Sequence, residues 1–138
     1  MTLSGSEIQQ IARNTAQRLP GAGHGHPFTQ GLDVYKVAGK VFMIVTDDPG
    51  ELIVTVKIDP EHGSALQRTH RSIRPGRYLD KRHWTTLAAG PGITRDLVED
   101  LVTGSYELVV EKIPPGRRPP EVQNALGGRS LHNPAARH

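Results

Sequence analysis

The chain has 138 residues, of which 36% are hydrophobic and 4% aromatic, and it contains no cysteine. This length suits one domain with a core of Val, Ile, Leu and Ala, and the lack of cysteine excludes disulfides, thiolate metal sites and a cysteine nucleophile. The net charge of +3 is unevenly distributed, since residues 68–83 hold six basic side chains and one acidic one. Such segregation favours an anionic partner.

No apolar run approaches the roughly 20 residues that a membrane helix needs. The N-terminal residues MTLSGSEI also lack the basic and apolar regions of a signal peptide. We therefore expect a soluble, cytoplasmic protein with no membrane partner.

The first predicted element is an amphipathic helix that ends at Pro20. Ser4 and Glu7 form a candidate capping box, and apolar positions 8, 11, 12, 16 and 19 form one helical stripe. Residues 21–31 then read as a turn-rich loop. His24 and His26 in that loop could touch a metal, but two ligands without a third are more often part of a solvated loop, and no metal site is predicted.

Three strands of a meander follow the loop. Residues 34–37 and 41–45 flank the segment AGK, a hairpin signal built on Gly39. After a turn at residues 47–50, the alternation of apolar positions 52, 54, 56 and 58 predicts the third strand, with these four side chains on one face and Thr55 and Lys57 on the other.

Two more helices and two more strands complete the predicted domain. Asp59 and Pro60 predict the start of a short helix that runs to about Thr69. Strands are expected at residues 77–79 and 84–89. Thr94 can cap the last helix, which Gly104 interrupts just before a second candidate cap, Ser105, so we expect either two abutting helices or one kinked helix.

These elements predict an α+β fold in the order α-β-β-β-α-β-β-α. Helices would cover one face of an antiparallel sheet of about five strands, and the other face would be partly exposed to solvent. Residues 1–113 would form this single domain. Residues 114–138, rich in Pro, Gly and Arg, are expected to form a disordered tail.

Five segments together carry a family resemblance: a first helix ending in LPG, then DVYKVAGKVFMIV, VKIDPE, GRYLDKRHWTTL and SYELV. They resemble the MmcQ/YjbR family, small bacterial proteins with a frataxin-like (CyaY-like) α+β fold, over about residues 3–113. The positions that recur in the family, which we call the family-recurring positions, are Lys36, Lys40, Lys81, His83, Trp84, Ser105 and Tyr106. The resemblance assigns them no role and brings no catalytic residues and no cofactor.

The resemblance also implies three kinds of partner. Members of the family are commonly described as DNA-binding on the strength of shape and charge, and some are associated with antibiotic gene clusters, which implies a small-molecule ligand. A frataxin-like fold implies iron as a third candidate. Iron ranks last, because frataxin-type sites depend on an acidic first helix and this one has Glu7 among Arg13 and Arg18.

Two prominent side chains are better explained by structure than by chemistry. Trp84 is expected to pack in the core rather than to stack on a base, and His83 would then point outward on the same strand. Ser105 lies at a helix boundary with no His–carboxylate pair placed beside it, so a capping role is favoured over a nucleophilic one. We therefore predict a protein that is not an enzyme.

The basic stretch gives the leading functional hypothesis. A turn at Pro75-Gly76 would bring Arg74, Arg77, Lys81 and Arg82 together on one hairpin, next to His83, and the tail adds four more arginines. This hairpin and tail could neutralise several phosphates of duplex DNA, weakly and without sequence selectivity. The simplest alternative is a solubilising surface, and small-molecule binding is the second functional candidate. RNA is disfavoured because no exposed aromatic platform accompanies the charge.

Overall fold

The computed structural model describes residues 2–25, 32–47, 50–76 and 80–118. Its α-helices are α1, Gly5–Gln17; α2, Pro60–Thr69; and α3, Arg95–Glu111. Each follows a capping residue, since the side chains of Ser4, Asp59 and Thr94 accept a hydrogen bond from the N–H three residues on. The Glu7 carboxylate also accepts from the Ser4 N–H at 2.8 Å, which confirms the predicted capping box.

Six strands form one antiparallel sheet. They are β1, Ala22–Gly25; β2, Leu32–Val37; β3, Lys40–Thr46; β4, Ile53–Lys57; β5, Ile73–Pro75; and β6, Trp84–Leu87. Their order in space is β1-β2-β3-β4-β6-β5, so the β5–β6 hairpin joins the sheet through β6. The predicted α+β class and the antiparallel sheet are confirmed.

The structure has six strands where about five were predicted: β1 and β5 were not predicted, and the strand predicted at residues 77–79 lies outside the described residues. Residues 22–25, expected to be part of a loop, pair with β2 along its free edge, with Ala22 opposite Val37 and Gly25 opposite Val34. The segment AGHG has no β-branched or large apolar residue that would have predicted a strand. Pairing with β2, rather than local propensity, determines its conformation.

The β2–β3 hairpin turns at two residues in the left-handed region. Ala38 has φ 51° and Gly39 has φ 79°, the combination that a two-residue type I′ turn requires. The predicted hairpin is confirmed. A β-bulge interrupts it, because Tyr35 pairs with Met43 but Lys36 pairs with Val41, which leaves Phe42 as an additional residue in β3.

All three helices pack on one face of the sheet. This face contributes large buried side chains of β2, β3 and β4 to the core: Tyr35, Val37, Phe42, Met43, Val45, Val54 and Val56. From α1 the core receives the predicted stripe, Ile8, Ile11, Ala12 and Ala16, and from α3 it receives Val98, Leu101, Val102, Val109 and others. The amphipathic spacing of the first helix therefore predicted its buried face correctly.

The second sheet face is more buried than the sequence suggested. Ile44, Ile53, Thr55 and Thr86 are each at most 8% exposed, so the expectation of a partly exposed face was wrong for the central strands. The hydroxyls of Thr55 and Thr86 lie 3.1 Å apart and hydrogen-bond to each other, which removes the cost of burying them unpaired. Leu52, predicted to lie in the third strand on one face with Val54 and Val56, instead precedes β4 and is 38% exposed.

The described chain ends in a short turn after α3. Pro115–Arg117 form a 3-10 turn, and Arg118 Nε donates to the Ile113 carbonyl at 3.0 Å. The remainder of the predicted tail, residues 119–138, lies outside the described residues. Among the helices of the described ranges, none is both long enough and apolar enough to cross a bilayer.

A cluster around Asp33 holds the edge strand and the first helix to β2. The Asp33 carboxylate accepts from the Arg13 guanidinium of α1 and lies 3.3 Å from Nε2 of His24 in β1. The His24 ring stacks on Tyr35 with centroids 4.7 Å apart. Burial alone would raise the pKa of Asp33, but the hydrogen bonds from Arg13 and His24 outweigh it and hold the pKa below its ordinary value.

Replacement of Asp33 by Asn should destabilise the domain in a pH-dependent way. A lowered native pKa means that the carboxylate stabilises the fold above the unfolded-state pKa and that this contribution is lost as pH falls through the native one. We expect Asp33→Asn to lower the free energy of unfolding by about 1–2 kcal/mol at pH 7. The difference from the original protein should shrink below about pH 4.

Urea unfolding between pH 7 and pH 2.5 would measure this difference. Asp100→Asn, at an exposed position of α3, is the matched control and should change stability by less than about 0.5 kcal/mol. A difference for Asp33→Asn that stays constant over the whole pH range would contradict the role of the ionised carboxylate.

Candidate functional site

The strand directions bring several basic residues to one end of the sheet. At this end β2 finishes at Val37, β3 begins at Lys40, β4 finishes at Lys57 and β6 begins at Trp84. The turn of residues 80–83 precedes β6 there, and α3 ends there at Lys112. We call this region the basic end of the sheet.

Acidic residues collect at the opposite end. Asp47 follows β3 and Glu51 precedes β4 there, while α3 begins there with Asp96 and Asp100 in its first two turns. Carboxylates near a helix N-terminus are favoured by the helix dipole, as is Lys112 at the C-terminus. The two ends therefore differ in their balance of charge, although Asp80 and Glu61 lie at the basic end and Arg71 and Arg95 at the opposite one.

Asp80 gives the turn at the basic end its shape. Its carboxylate accepts from the Arg82 N–H at 2.9 Å and contacts Nδ1 of His83 at 2.8 Å. The hydrogen bond from the Arg82 N–H, followed by that from His83, lowers the pKa of Asp80. His83 is half-exposed and binds this turn, and the side chains of Lys81 and Arg82 remain exposed to solvent.

Two open grooves flank this turn. The larger one, of about 540 Å³, runs along α2 and is lined by Pro60, Glu61, Ser64, Gln67, Arg68, Lys81 and Arg82. The smaller one, of about 380 Å³, is lined by Arg74, Pro75, Gly76, Lys81 and Thr86. Lys81 borders both, and the larger groove brings three cations together with a single carboxylate.

The hairpin arrangement predicted for four cations is only partly present. Arg74 lies on β5 and its Nη2 donates to Glu51 Oε1 at 2.8 Å, so a carboxylate already neutralises its charge. Arg77 lies outside the described residues. Lys81 and Arg82 are together on the turn, and the third cation beside them is Arg68 of α2. Arg68 belongs to the basic stretch, but its position on α2 facing the turn could not be read from the sequence.

Trp84 is buried, as predicted, although not in the core beneath the helices. It is 9% exposed and, by strand alternation, lies on the second face of the sheet opposite Lys57. Lys57 Nζ is 5.5 Å from the centre of the indole ring, within cation–π distance. The Gly76 N–H donates to the Trp84 carbonyl at 2.8 Å, and a Cβ at Gly76 would come within 2.7 Å of Trp84 Cβ.

Ser105 is a bridging residue inside α3 and not the cap of a second helix. Of the two arrangements predicted around Gly104, two abutting helices is wrong, because Arg95–Glu111 form one continuous helix. The pairing of β3 with β4 ends at Met43 and Val56. Just beyond that pair, Ser105 Oγ accepts a hydrogen bond from the Lys57 N–H at 2.8 Å and donates one to the Phe42 carbonyl at 2.5 Å. The hydroxyl therefore satisfies two backbone groups beside the bulge.

Tyr106, the next residue, fixes the end of the first helix. Its hydroxyl donates to the Pro20 carbonyl at 2.6 Å, and its ring packs edge-on against Phe42 with centroids 5.6 Å apart. Lys36 and Lys40 are exposed on the β2–β3 hairpin. All the family-recurring positions therefore lie at the basic end or contact residues that shape it.

No metal centre is evident in the described ranges. No group of three or more His, Asp or Glu side chains in them could hold a metal ion. His24, on β1, has its Nε2 3.3 Å from the carboxylate of Asp33 on β2. His26, the other candidate ligand of that loop, lies outside the described residues.

Comparison with known proteins identifies the family. The model of the YjbR family matches residues 17–108, and the chain belongs to this family of α+β proteins. It is 33% identical over 104 residues to Escherichia coli O157:H7 YbdF, covering 75% of this chain and 85% of that protein. It is 31% identical over 83 residues to YjbR of Escherichia coli K12, covering 60% and 70%. Both relatives are described as uncharacterized proteins.

Two solved structures share the fold. The Deinococcus radiodurans protein DR2400, which contains a DUF419 domain, aligns with a TM-score of 0.66 and 31% identity over 72% of this chain and 76% of that one. A Pseudomonas syringae protein aligns with a TM-score of 0.62 over 72% and 96% of the two chains. Its identity of 20% supports the shared fold alone.

Replacement of Ser105 by Ala should destabilise the domain strongly for so small a change. It would leave the buried Phe42 carbonyl and the Lys57 N–H without their partner, and we expect a loss of about 2–4 kcal/mol in the free energy of unfolding. Chemical denaturation would measure it, with Ser6→Ala at an exposed position of α1 as the control. A Ser105→Ala variant within about 0.5 kcal/mol of the original protein would refute the bridging role.

Proposed function

We propose that this protein binds duplex DNA through backbone phosphates at the basic end of the sheet, and that it does so without catalysing a reaction. The observation that carries the proposal is the groove along α2, where Arg68, Lys81 and Arg82 meet. Within the described part of the chain, these three cations enter no ion pair. An open surface on which cations outnumber carboxylates attracts a polyanion and releases counterions when it binds.

The character of the site favours phosphate contacts over base recognition. Lys81 and Arg82 project from a turn, and Trp84, the single indole of the chain, is 9% exposed and has Lys57 over its ring. A covered ring is a poor stacking platform for a base. Phosphate contacts carry no sequence information, so we expect weak, sequence-tolerant binding that depends steeply on salt concentration.

The lining of the grooves argues against the small-molecule alternative. Pockets for drug-sized ligands are mostly apolar and enclosed, with a few polar groups. The larger groove here contains Arg68, Lys81, Arg82 and Glu61, and the smaller one contains Arg74 and Lys81. Charged and open surfaces of this kind suit an extended anion better than an apolar ligand.

The state of Ser105 supports a binding role rather than catalysis. Its hydroxyl is 0% exposed and hydrogen-bonded between two backbone groups, which leaves it unsuited to attack a substrate. A cytoplasmic location accompanies the proposal, because duplex DNA is accessible there to a bacterial protein.

A double variant tests the proposal. Lys81→Gln with Arg82→Gln should weaken binding to generic duplexes of unrelated sequence at 50 mM salt. The slope of log K against log salt should become shallower by about 0.9 for each phosphate that the variant no longer neutralises. Fluorescence anisotropy of a labelled duplex at several salt concentrations would measure both effects, and the fold should survive because both residues are exposed.

The matched control removes two cations at the opposite end. Arg71 and Arg95 are exposed there, so Arg71→Gln with Arg95→Gln causes the same loss of net charge. We expect this control to retain the slope of the original protein. An original protein with no affinity for DNA at 50 mM salt, or equal effects of the two double variants, would contradict the proposal.

A further inference from the structure

His83 holds a defined position in the turn that carries the two exposed cations of the basic end. Its Nδ1 lies 2.8 Å from Asp80 Oδ2, its N–H donates to the Asp80 carbonyl at 3.1 Å, and its carbonyl accepts from the Ile58 N–H at 2.9 Å. The other carboxylate oxygen of Asp80 accepts from the Arg82 N–H at 2.9 Å. One carboxylate therefore joins the imidazole of His83 to the backbone of Arg82, which with Lys81 lines the groove along α2.

The contact with Asp80 determines where a further proton binds on the ring. Hydrogen bonds from the Arg82 N–H and from His83 hold the pKa of Asp80 below its ordinary value, so the carboxylate is ionised near neutral pH. An ionised carboxylate only accepts hydrogen bonds, and Nδ1 therefore carries the hydrogen of the neutral ring. Within the described residues Nε2 has no hydrogen bond or ion pair, and the side chain is 42% exposed. A proton from solvent is therefore taken up at Nε2.

Protonation of His83 doubles the net charge of its turn. With a neutral ring, residues 80–83 carry two cations and one carboxylate, which gives a net charge of +1, and the protonated ring raises it to +2. Histidine is the side chain whose charge ordinarily changes between pH 5 and pH 8. The added charge lies next to Arg82 in the chain and shares the Asp80 carboxylate with it.

The charged groups that neighbouring elements bring to this end keep their charge over the same range. They are Lys57 of β4, Asp59 and Glu61 at the start of α2, and Glu111 and Lys112 at the end of α3. Carboxylates and ammonium groups titrate outside the range from pH 6 to pH 8. His62, in the first turn of α2, is a second histidine near this end, and its ring forms no ion pair within the described residues.

We propose that His83 makes DNA binding at the basic end depend on pH: a duplex held by Lys81 and Arg82 favours the protonated ring, so that binding takes up a proton at Nε2 and strengthens as the pH falls from 8 to 6. The physical reason is reciprocity. An anion beside the turn stabilises the charged form of the ring, and the charged ring must raise the affinity for the anion by the same factor. The inference rests on the proposed function and adds a regulation of the same site.

Duplex affinity at two pH values tests the inference. Anisotropy of a labelled generic duplex at 50 mM salt should show that the original protein binds at least about threefold more tightly at pH 6 than at pH 8, as one added exposed charge predicts. His83→Gln should match the original protein at pH 8 and bind about three- to fivefold more weakly than it at pH 6. The fold should survive, because the His83 side chain is half-exposed.

Two further measurements distinguish a change of charge from a structural role of His83. Calorimetric titrations at pH 7 in two buffers of different ionisation enthalpy measure the protons taken up on binding. We expect uptake by the original protein and less uptake by His83→Gln. The slope of log K against log salt should be steeper at pH 6 than at pH 8 by up to about 0.9 in the original protein, and His83→Gln should reduce this difference. A purely structural role would leave both quantities unchanged.

His70→Gln is the matched control, because His70 is the C-cap of α2, at the far end of that helix. It should bind like the original protein at both pH values, as should His62→Gln. Equal affinities of the original protein at pH 6 and pH 8, a His83→Gln variant that matches it at pH 6, or an equal loss in His62→Gln or His70→Gln would overturn the inference and leave the proposed function standing. Absence of any anisotropy change with the original protein at either pH would overturn both.

Discussion

The hydroxyl of Ser105 joins α3, the longest helix of the described residues, to the sheet just beyond the point where the pairing of β3 with β4 stops. The bulge at Phe42 ends the regular pairing of β3 with β4, and Ser105 Oγ then accepts from the Lys57 N–H and donates to the Phe42 carbonyl. Backbone groups buried without partners are costly. This bridge therefore fixes α3 against the sheet and sets where β4 ends, which places Lys57 beside Trp84 at the basic end.

The charge distribution follows from that geometry. α3 runs from the acidic end, where Asp96 lies in its first turn, to its C-cap Lys112 at the basic end. The turn shaped by Asp80 adds Lys81 and Arg82 at the same end. A chain with a net charge of only +3 thus gathers Lys57, Lys81, Arg82 and Lys112 at one end of the sheet, and steering of a polyanion depends on such local charge more than on the net value.

The sequence was sufficient for the features that local patterns encode. The capping box at Ser4 and Glu7, the apolar stripe of α1 and the hairpin at Gly39 were all predicted and confirmed. The sequence was not sufficient where contacts with residues distant in the chain determine the secondary structure. Pairing with β2 makes a strand of residues 22–25, and α3 stays continuous past Gly104, where Ser105 contacts the sheet. At the site, Lys81 and Arg82 could be predicted as neighbours on one turn. The ion pair of Arg74 with Glu51 and the position of Arg68 in the groove beside Lys81 and Arg82 depend on the fold, and no local pattern encodes them.

The central claim is that the basic end of the sheet is the surface that contacts DNA. The most direct measurement is a titration of isotope-labelled protein with a short generic duplex at 50 mM salt, followed by the shifts of backbone amide resonances. The account predicts that the amides of Lys57, Lys81, Arg82 and Lys112 shift in a salt-sensitive way, while those of residues 95–100 at the opposite end do not. Shifts concentrated at residues 95–100, or none at saturating duplex, would contradict it.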